Sequence, residues 1–210
     1  MSQVAISGNA SGTGTLTIAA PNTNSNYTLT LPQATTTLVG TDATQTLTNK
    51  TIQGGAITSG TAVASTSGTS IDFTGLPSWV KKITVLFNGI STNGTSNYLI
   101  QLGAGSVTTS GYLGATSFLS SVALSTNLTT GFGIYNASGA SQVSHGSVQI
   151  TTMGSNLWVA SGVLGQSNGG ATMTTGGSVT LGGTLDRVRI TTVNGTDAFD
   201  AGSVNIMYEG

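Results

Sequence analysis

Six carboxylates and one histidine are the residues of this chain with the greatest capacity for acid–base or metal chemistry. Cleavage of a polysaccharide needs two carboxylates beside a cleft, and Asp197 and Asp200 are the best pair by spacing. They follow Arg187 and Arg189 closely, so an Asx turn with ion pairs that stabilise a hairpin is the main interpretation. A Ca²⁺ site is the second, because this cation binds several carboxylate or carbonyl oxygens. The six carboxylates are Asp42, Asp72, Asp186, Asp197, Asp200 and Glu209.

The other reactive side chains give little support to catalysis. His145 has no second His or Glu close to it in the sequence, which favours a turn or surface role. Ser and Thr are abundant, but a hydrolase triad also needs a base bonded to the nucleophile and an orienting acid, and the chain contains no Cys. We therefore predict that the protein is not an enzyme and that it has no cofactor, no catalytic residue and no bound metal beyond the calcium alternative.

Four aromatic residues lie in the segment 104–144, which is rich in Gly, Ser and Thr and is predicted to be irregular. Loops on a rigid sandwich carry recognition, and exposed aromatic rings provide contact area at low entropic cost. The segment is therefore the predicted recognition surface for a sugar or a surface protein, and packing of the rings on their own lobe is the alternative. The four residues are Tyr112, Phe118, Phe132 and Tyr135.

The composition indicates an all-β protein with an unusually uncharged surface. Only 5% of the residues are charged and the net charge is −1, which provides no basic surface for nucleic acid. No stretch approaches the roughly 20 apolar residues that span a bilayer, so membrane insertion is not expected. The helix formers Lys, Glu and Arg are nearly absent, whereas Gly, Ser, Thr and Asn are frequent. These properties favour strands and turns.

Residues 60–210 are predicted to form an antiparallel β-sandwich of the jelly-roll type. Apolar and polar residues alternate clearly at Ile83, Val85 and Phe87, and again at Val188 and Ile190. Such alternation is typical of strands with one buried face. Asn-Gly pairs near the strand ends supply turns.

Residues 1–59 contain only very short alternating runs, at 15–18, 27–31 and 37–39. None buries enough apolar surface to fold alone. We expect three copies of this segment to wrap around one axis, and a disordered linker is the alternative. A homotrimer also protects sheet edges that carry few charges and would otherwise pair with foreign chains.

Two stretches carry a family resemblance. Residues 41–52 read TDATQTLTNKTI and follow a TLTLP…TLVG run at 29–40. This phrase resembles the T-x-T-L-T-N-K-T segment of bacteriophage tail-fibre and other appendage proteins. Residues 71–83 (IDFTGLPSWVKKI) and 185–203 (LDRVRITTVNGTDAFDAGS) are similar to C-terminal domains of phage fibre proteins.

The resemblance implies a structural virion protein that is assembled in the host cytoplasm and forms a homotrimer. The expected function is that of a phage tail fibre, with 1–59 bound to other virion proteins and 60–210 forming a receptor-binding head for host adhesion. The expected receptor is a host cell-surface glycan or protein. A capsid-surface fibre or decoration protein of the same build is the alternative.

Overall fold

The computed structural model of this chain describes residues 11–13, 24, 26 and 57–210. The chain divides into two units, residues 1–51 and 52–210. All of the described strands belong to the second unit, which we call the lobe. The short strands predicted at 15–18, 27–31 and 37–39, and with them the predicted wrapping of three copies, lie outside the described residues.

The lobe is built from antiparallel strands, which confirms the predicted all-β fold. One short 3-10 turn spans Gly139–Ser141, and the described part of the chain contains no α-helix. The strands are β1 (Thr58–Ser59), β2 (Val63–Ala64), β3 (Ile71–Thr74), β4 (Lys82–Thr92), β5 (Tyr98–Ala104), β6 (Ser106–Val107), β7 (Leu113–Leu119), β8 (Ala123–Leu128), β9 (Phe132–Ile134), β10 (Ser144–Gly154), β11 (Leu157–Gln166), β12 (Ala171–Thr180), β13 (Arg187–Thr192) and β14 (Phe199–Glu209).

Two sheets share one hydrophobic core. The large sheet has nine strands in the order β1-β14-β4-β10-β11-β12-β7-β8, with β2 also paired to β14. The small sheet has five, in the order β3-β13-β5-β6, with β9 also paired to β5. The arrangement is an antiparallel β-sandwich, as predicted for the C-terminal part. The lobe already includes Thr58 and Ser59, ahead of the predicted boundary at Gly60, because both pair with β14.

Alternating side chains build the core. In β4, Ile83, Val85 and Phe87 are buried while the residues between them are half-buried. In the neighbouring β10, Ile150 stands opposite Ile83 and Val148 opposite Val85, so the inner face continues across the sheet. Burial of one such side chain contributes roughly 1.5–3 kcal/mol. The small sheet supplies the fully buried residues Ile100, Leu102, Val188 and Ile190.

The segment 104–144 is not irregular, contrary to the prediction, because it contains β7, β8 and β9. In β7 the inward positions include Gly114 and Thr116, whereas the outward positions include the exposed Leu113 and Leu119. This arrangement inverts the usual pattern of apolar residues inside and polar residues outside. The strand therefore gives no hydrophobic alternation that a sequence pattern can detect.

The strands run between two ends of the lobe. At the end that we call the entry end, Lys82 of β4 pairs with Glu209 of β14, and their side chains form an ion pair of 2.8 Å. The first strand of the lobe lies at this end, since Thr58 pairs with Tyr208. At the opposite end, which we call the far end, β4 stops at Thr92. The loops 93–97, 135–143 and 193–198 lie there.

Candidate functional site

An Asx turn shapes the loop between β13 and β14 at the far end. The Asn194 side-chain oxygen accepts hydrogen bonds from the backbone N–H groups of Thr196 (3.0 Å) and Asp197 (3.1 Å). Gly195 has a φ of 68°, in the left-handed region that glycine adopts without strain. The turn therefore has a local cause in the sequence Asn194-Gly195.

The Asp197 carboxylate joins this turn to the loop between β4 and β5. It accepts hydrogen bonds from the Asn194 side-chain amide (2.6 Å) and from the backbone N–H of Ser96 (2.9 Å). These two bonds, Asn194 first, hold the pKa of Asp197 below its ordinary value because they favour the charged form. A Cβ atom at Gly94 would overlap the carboxylate, so the close approach requires glycine.

The two arginines do not pair with Asp197 or Asp200, which corrects the predicted hairpin ion pairs. Arg187 forms an ion pair with its neighbour Asp186, with 2.7 Å between the arginine Nε and the carboxylate Oδ1. Arg189 binds Asp72 through two hydrogen bonds of 2.7 and 2.9 Å. The reason is directional, because β13 begins at Arg187 near the entry end, whereas Asp197 follows its far end. The described residues contain no group of three or more His, Cys, Asp and Glu that would hold a metal ion.

Tyr112, Phe118 and Phe132 are buried and do not form a recognition surface, which corrects the prediction for these three residues. Tyr112 and Phe132 pack edge to face with ring centres 5.1 Å apart. The Tyr112 hydroxyl accepts a hydrogen bond of 2.7 Å from the backbone N–H of Leu102, and burial raises the pKa of Tyr112 to about 12. The rings fill the core because the neighbouring inward residues are small.

Tyr135 is the one residue of the predicted aromatic set that stays partly exposed. Its ring packs on that of Phe118, with ring centres 6.2 Å apart. Tyr135 also lines a groove of about 550 Å³, which we call the far-end groove. The inner side of the edge strand β8 forms one wall, and the three far-end loops form the other. The lining residues are Thr95, Ser96, Asn97, Leu124, Thr126, Leu128, Tyr135, Asn136, Ala137 and Val193.

Amide side chains fix the shape of the far-end groove. Asn97 accepts a hydrogen bond of 2.8 Å from the backbone N–H of Asn136, and Ser96 accepts one of 3.1 Å from the backbone N–H of Asn194. The side chain of Asn136 is only 5% exposed, and its oxygen has no hydrogen-bond partner in the protein. An unsatisfied buried acceptor costs about 1–3 kcal/mol. The groove therefore offers hydroxyls, amides and one aromatic ring, with no charged side chain among its lining residues.

His145 has a structural contact. Its Nδ1 accepts a hydrogen bond of 3.1 Å from the backbone N–H of Gly89, at a bulge in the pairing of β10 with β4. Gly89 has a φ of 68°, which is the backbone conformation that a bulge of this kind favours. The imidazole therefore stabilises an irregularity of the sheet.

A second depression of about 300 Å³ lies at the entry end, and we call it the entry-end cavity. Trp158 and Lys81 contribute to its lining, together with hydroxyls such as that of Thr152. The indole N–H of Trp158 is buried without a hydrogen-bond partner. This cavity is smaller than the far-end groove.

Comparisons of this chain with protein-family models, curated proteins and solved structures find no match. The described residues also include no helix long and apolar enough to cross a membrane. The interpretation of the lobe therefore depends on its own geometry.

Sequence reasoning missed most of the far-end groove. Asn97 and Asn136 carry no pattern that separates them from the many other asparagines of the chain. The Asn93-Gly94 pair indicates a turn, but not that Asp197 packs against it. The sequence pointed to only two residues of this region, Tyr135 as an aromatic residue of a loop and Asp197 as part of a turn.

Proposed function

We propose that this chain is the subunit of a trimeric phage tail fibre, and that its lobe binds a host cell-surface glycan without cleaving it. The observation that carries the proposal is the far-end groove, where hydroxyls, amides and the Tyr135 ring line one concave surface. The assignment to a phage fibre is supported by the resemblance of residues 41–52, 71–83 and 185–203 to fibre proteins.

A neutral saccharide fits the chemistry of the far-end groove. Sugar hydroxyls are both donors and acceptors, and the hydroxyls of Thr95 and Thr126 in the groove can likewise act as both. The partly exposed ring of Tyr135 provides an apolar surface for the C–H face of a sugar. Because the lining has no charged side chain, a strongly charged ligand would lose hydration without gaining a partner.

The rigidity of the groove supports binding. Hydrogen bonds tie the loop 93–97 to the loops 135–143 and 193–198, as described for Asn97, Ser96 and Asp197. Loops that are already ordered lose less conformational entropy when a ligand binds. A preformed site is therefore the arrangement that a receptor-binding head requires.

The position of the groove also supports the proposal. The first strand of the lobe lies at the entry end, and the groove lies at the opposite end. If residues 1–59 attach to the virion, a site at the far end is the part of the lobe that is best placed to reach a host surface.

The test is the substitution Ala137→Trp, which places a large ring in the far-end groove from an exposed position. The matched control is Ala140→Trp, which is exposed in the same loop but does not line the groove. We expect Ala137→Trp to reduce binding of the full chain to host cells and to their purified envelope polysaccharide at least tenfold, and Ala140→Trp to leave it unchanged. Equal binding by both variants would contradict the proposed site.

Gold-labelled antibody on intact virions distinguishes the attachment points. Label at the tail agrees with the proposal, and label on the capsid shell supports the alternative of a capsid-surface fibre.

A further inference from the structure

Five neighbouring strands give the large sheet a wide, uncharged outer surface. It consists of the outward side chains of the five neighbouring strands β10, β11, β12, β7 and β8, and we call it the outer face. Strand registers place these side chains in rows across the sheet. The residues are His145, Ser147, Gln149, Thr151, Val159, Ser161, Val163, Gly165, Thr172, Thr174, Gly176, Ser178, Leu113, Ala115, Ser117, Leu119, Ala123, Ser125 and Asn127.

Large apolar side chains on the outer face are open to solvent. Val163 is 55% exposed, Leu119 is 60% exposed and Leu113 is 72% exposed. None of the residues of the face is Asp, Glu, Lys or Arg, and His145 lies at its margin. These side chains lie apart from one another on a surface that otherwise carries hydroxyls, amides and small residues.

The middle of the outer face is flat. Ser161 stands opposite Gly176 on β12, and Gly176 stands opposite Ala115 on β7, so the three middle strands have only small side chains in this row. Two hydroxyls on the face, those of Ser117 and Thr174, bond to each other at 2.7 Å. Because they already satisfy each other, dehydrating them costs less than dehydrating free hydroxyls. A second sheet can therefore pack on this surface at the usual separation of about 10 Å.

The size of the outer face fits a protein interface. Five strands about 4.8 Å apart, each with about seven residues at about 3.4 Å per residue, cover on the order of 600 Å² in projection. A stable interface buries about 800 Å² on each partner. The outer face thus accounts for most of one standard interface.

The edge strand β8 borders the same face. It pairs only with β7 among the described strands, and its sequence Ala123–Leu128 has no charged residue and no proline. Natural sheets usually protect such edges with Lys, Pro or a bulge, because an open edge accepts another strand. A partner that covers the outer face is well placed to protect this edge too.

We infer that the outer face is buried against a second copy of this chain, and this inference rests on the proposed oligomeric fibre. A neutral surface meets its own copy without like-charge repulsion, whereas it offers no charges to select a different partner. The face, its area and its unprotected edge are together what an assembly of identical subunits would cover. The rest of the lobe contains all of its described charges, which would stay in water.

Light scattering after size-exclusion chromatography of the full chain tests the inference. Val163→Lys places a charge in the outer face, and Met153→Lys is the control. Met153 is exposed at the bulge near the end of β10, where it has no paired residue on β11, and it is not one of the outer-face residues. We expect the wild type and Met153→Lys to be oligomers at micromolar concentration. The concentration at which Val163→Lys dissociates should be at least 100-fold higher than the concentration at which these two proteins dissociate. A monomeric wild type, or a Val163→Lys variant with the wild-type mass, would overturn the inference.

Cysteine labelling gives a second readout that does not disrupt the face. Because the chain has no Cys, Val163→Cys and Met153→Cys each introduce a single thiol. We expect a maleimide to label Val163→Cys at least tenfold more slowly than Met153→Cys in the oligomer. Equal labelling rates would contradict burial of the face, even if Val163→Lys failed to fold.

The two proposals fail separately. If Ala137→Trp abolishes glycan binding but Val163→Lys leaves the mass unchanged, the binding site stands and the interface is wrong. If Val163→Lys dissociates the oligomer but Ala137→Trp binds normally, the interface stands and the binding site is wrong.

Discussion

The far-end groove and the outer face of the large sheet are made from the same kinds of residues but have opposite shapes. Both contain Ser, Thr, Asn and a few apolar side chains, and neither contains Asp, Glu, Lys or Arg. The groove is concave and has a buried amide oxygen without a partner. The outer face is flat, and hydroxyls such as those of Ser117 and Thr174 already pair with each other.

The comparison indicates that the regularity of the backbone determines which kind of partner or ligand an uncharged surface can bind. In the strands of the outer face, the ladder satisfies the backbone N–H and C=O groups, so that only side chains meet a partner. In the far-end loops, amide side chains replace the ladder and hold the backbone around a cavity. The regular surface therefore suits another sheet, and the irregular surface suits a small polar ligand.

The largest expected effect comes from the core that supports both regions. Tyr112→Ala removes a buried ring and the acceptor for the Leu102 N–H, so we expect a loss of about 3–5 kcal/mol in the free energy of unfolding. Urea denaturation measures the loss, and glycan binding and assembly should decrease together. Normal stability of Tyr112→Ala with loss of glycan binding alone would return Tyr112 to the recognition surface.

A smaller loss in the free energy of unfolding is expected for Gly94→Val, because any side chain at this position overlaps the Asp197 carboxylate. Overpacking of this kind costs about 1–3 kcal/mol, and the displaced loops should weaken glycan binding about tenfold while the mass of the oligomer is unchanged. Gly182→Val is the matched control, because a Cβ atom at Gly182 has open space. Isothermal titration with envelope polysaccharide gives the comparison, and normal binding by Gly94→Val would separate the groove from the Asp197 contact.

The sequence predicts these features only where the pattern of residue types around a position indicates whether that position is buried. Ile83, Val85 and Phe87 alternate with polar residues, so the core of β4 could be predicted. Phe118 could not be placed, because the other inward residues of its strand are Gly114 and Thr116. The far-end groove could not be predicted for a different reason. Its walls come from loops that lie about 40 and 100 residues apart in the sequence, and only the folded sandwich brings them together.

The smallest expected effect is the response of the groove to pH. The pKa of Asp197 is lowered in the folded protein, so its stabilising effect is complete above the ordinary carboxyl value and is lost as the pH falls through the lowered pKa. We expect glycan binding to weaken below about pH 4.

Asp197→Asn is the control for this response. The variant keeps the shape of the side chain but cannot titrate, so its glycan binding should be weaker than that of the wild type at neutral pH and should change less on acidification. An unaltered pH profile in Asp197→Asn would show that another group causes the response.

Hydrogen–deuterium exchange of the full chain, with and without host envelope polysaccharide, tests most directly whether the lobe binds a glycan at its far end. We predict slower exchange in the loops 93–97, 135–143 and 193–198 when the polysaccharide is present. Protection confined to the loops 75–81 and 155–156 around the entry-end cavity, or no protection in the lobe, would contradict glycan binding at the far end.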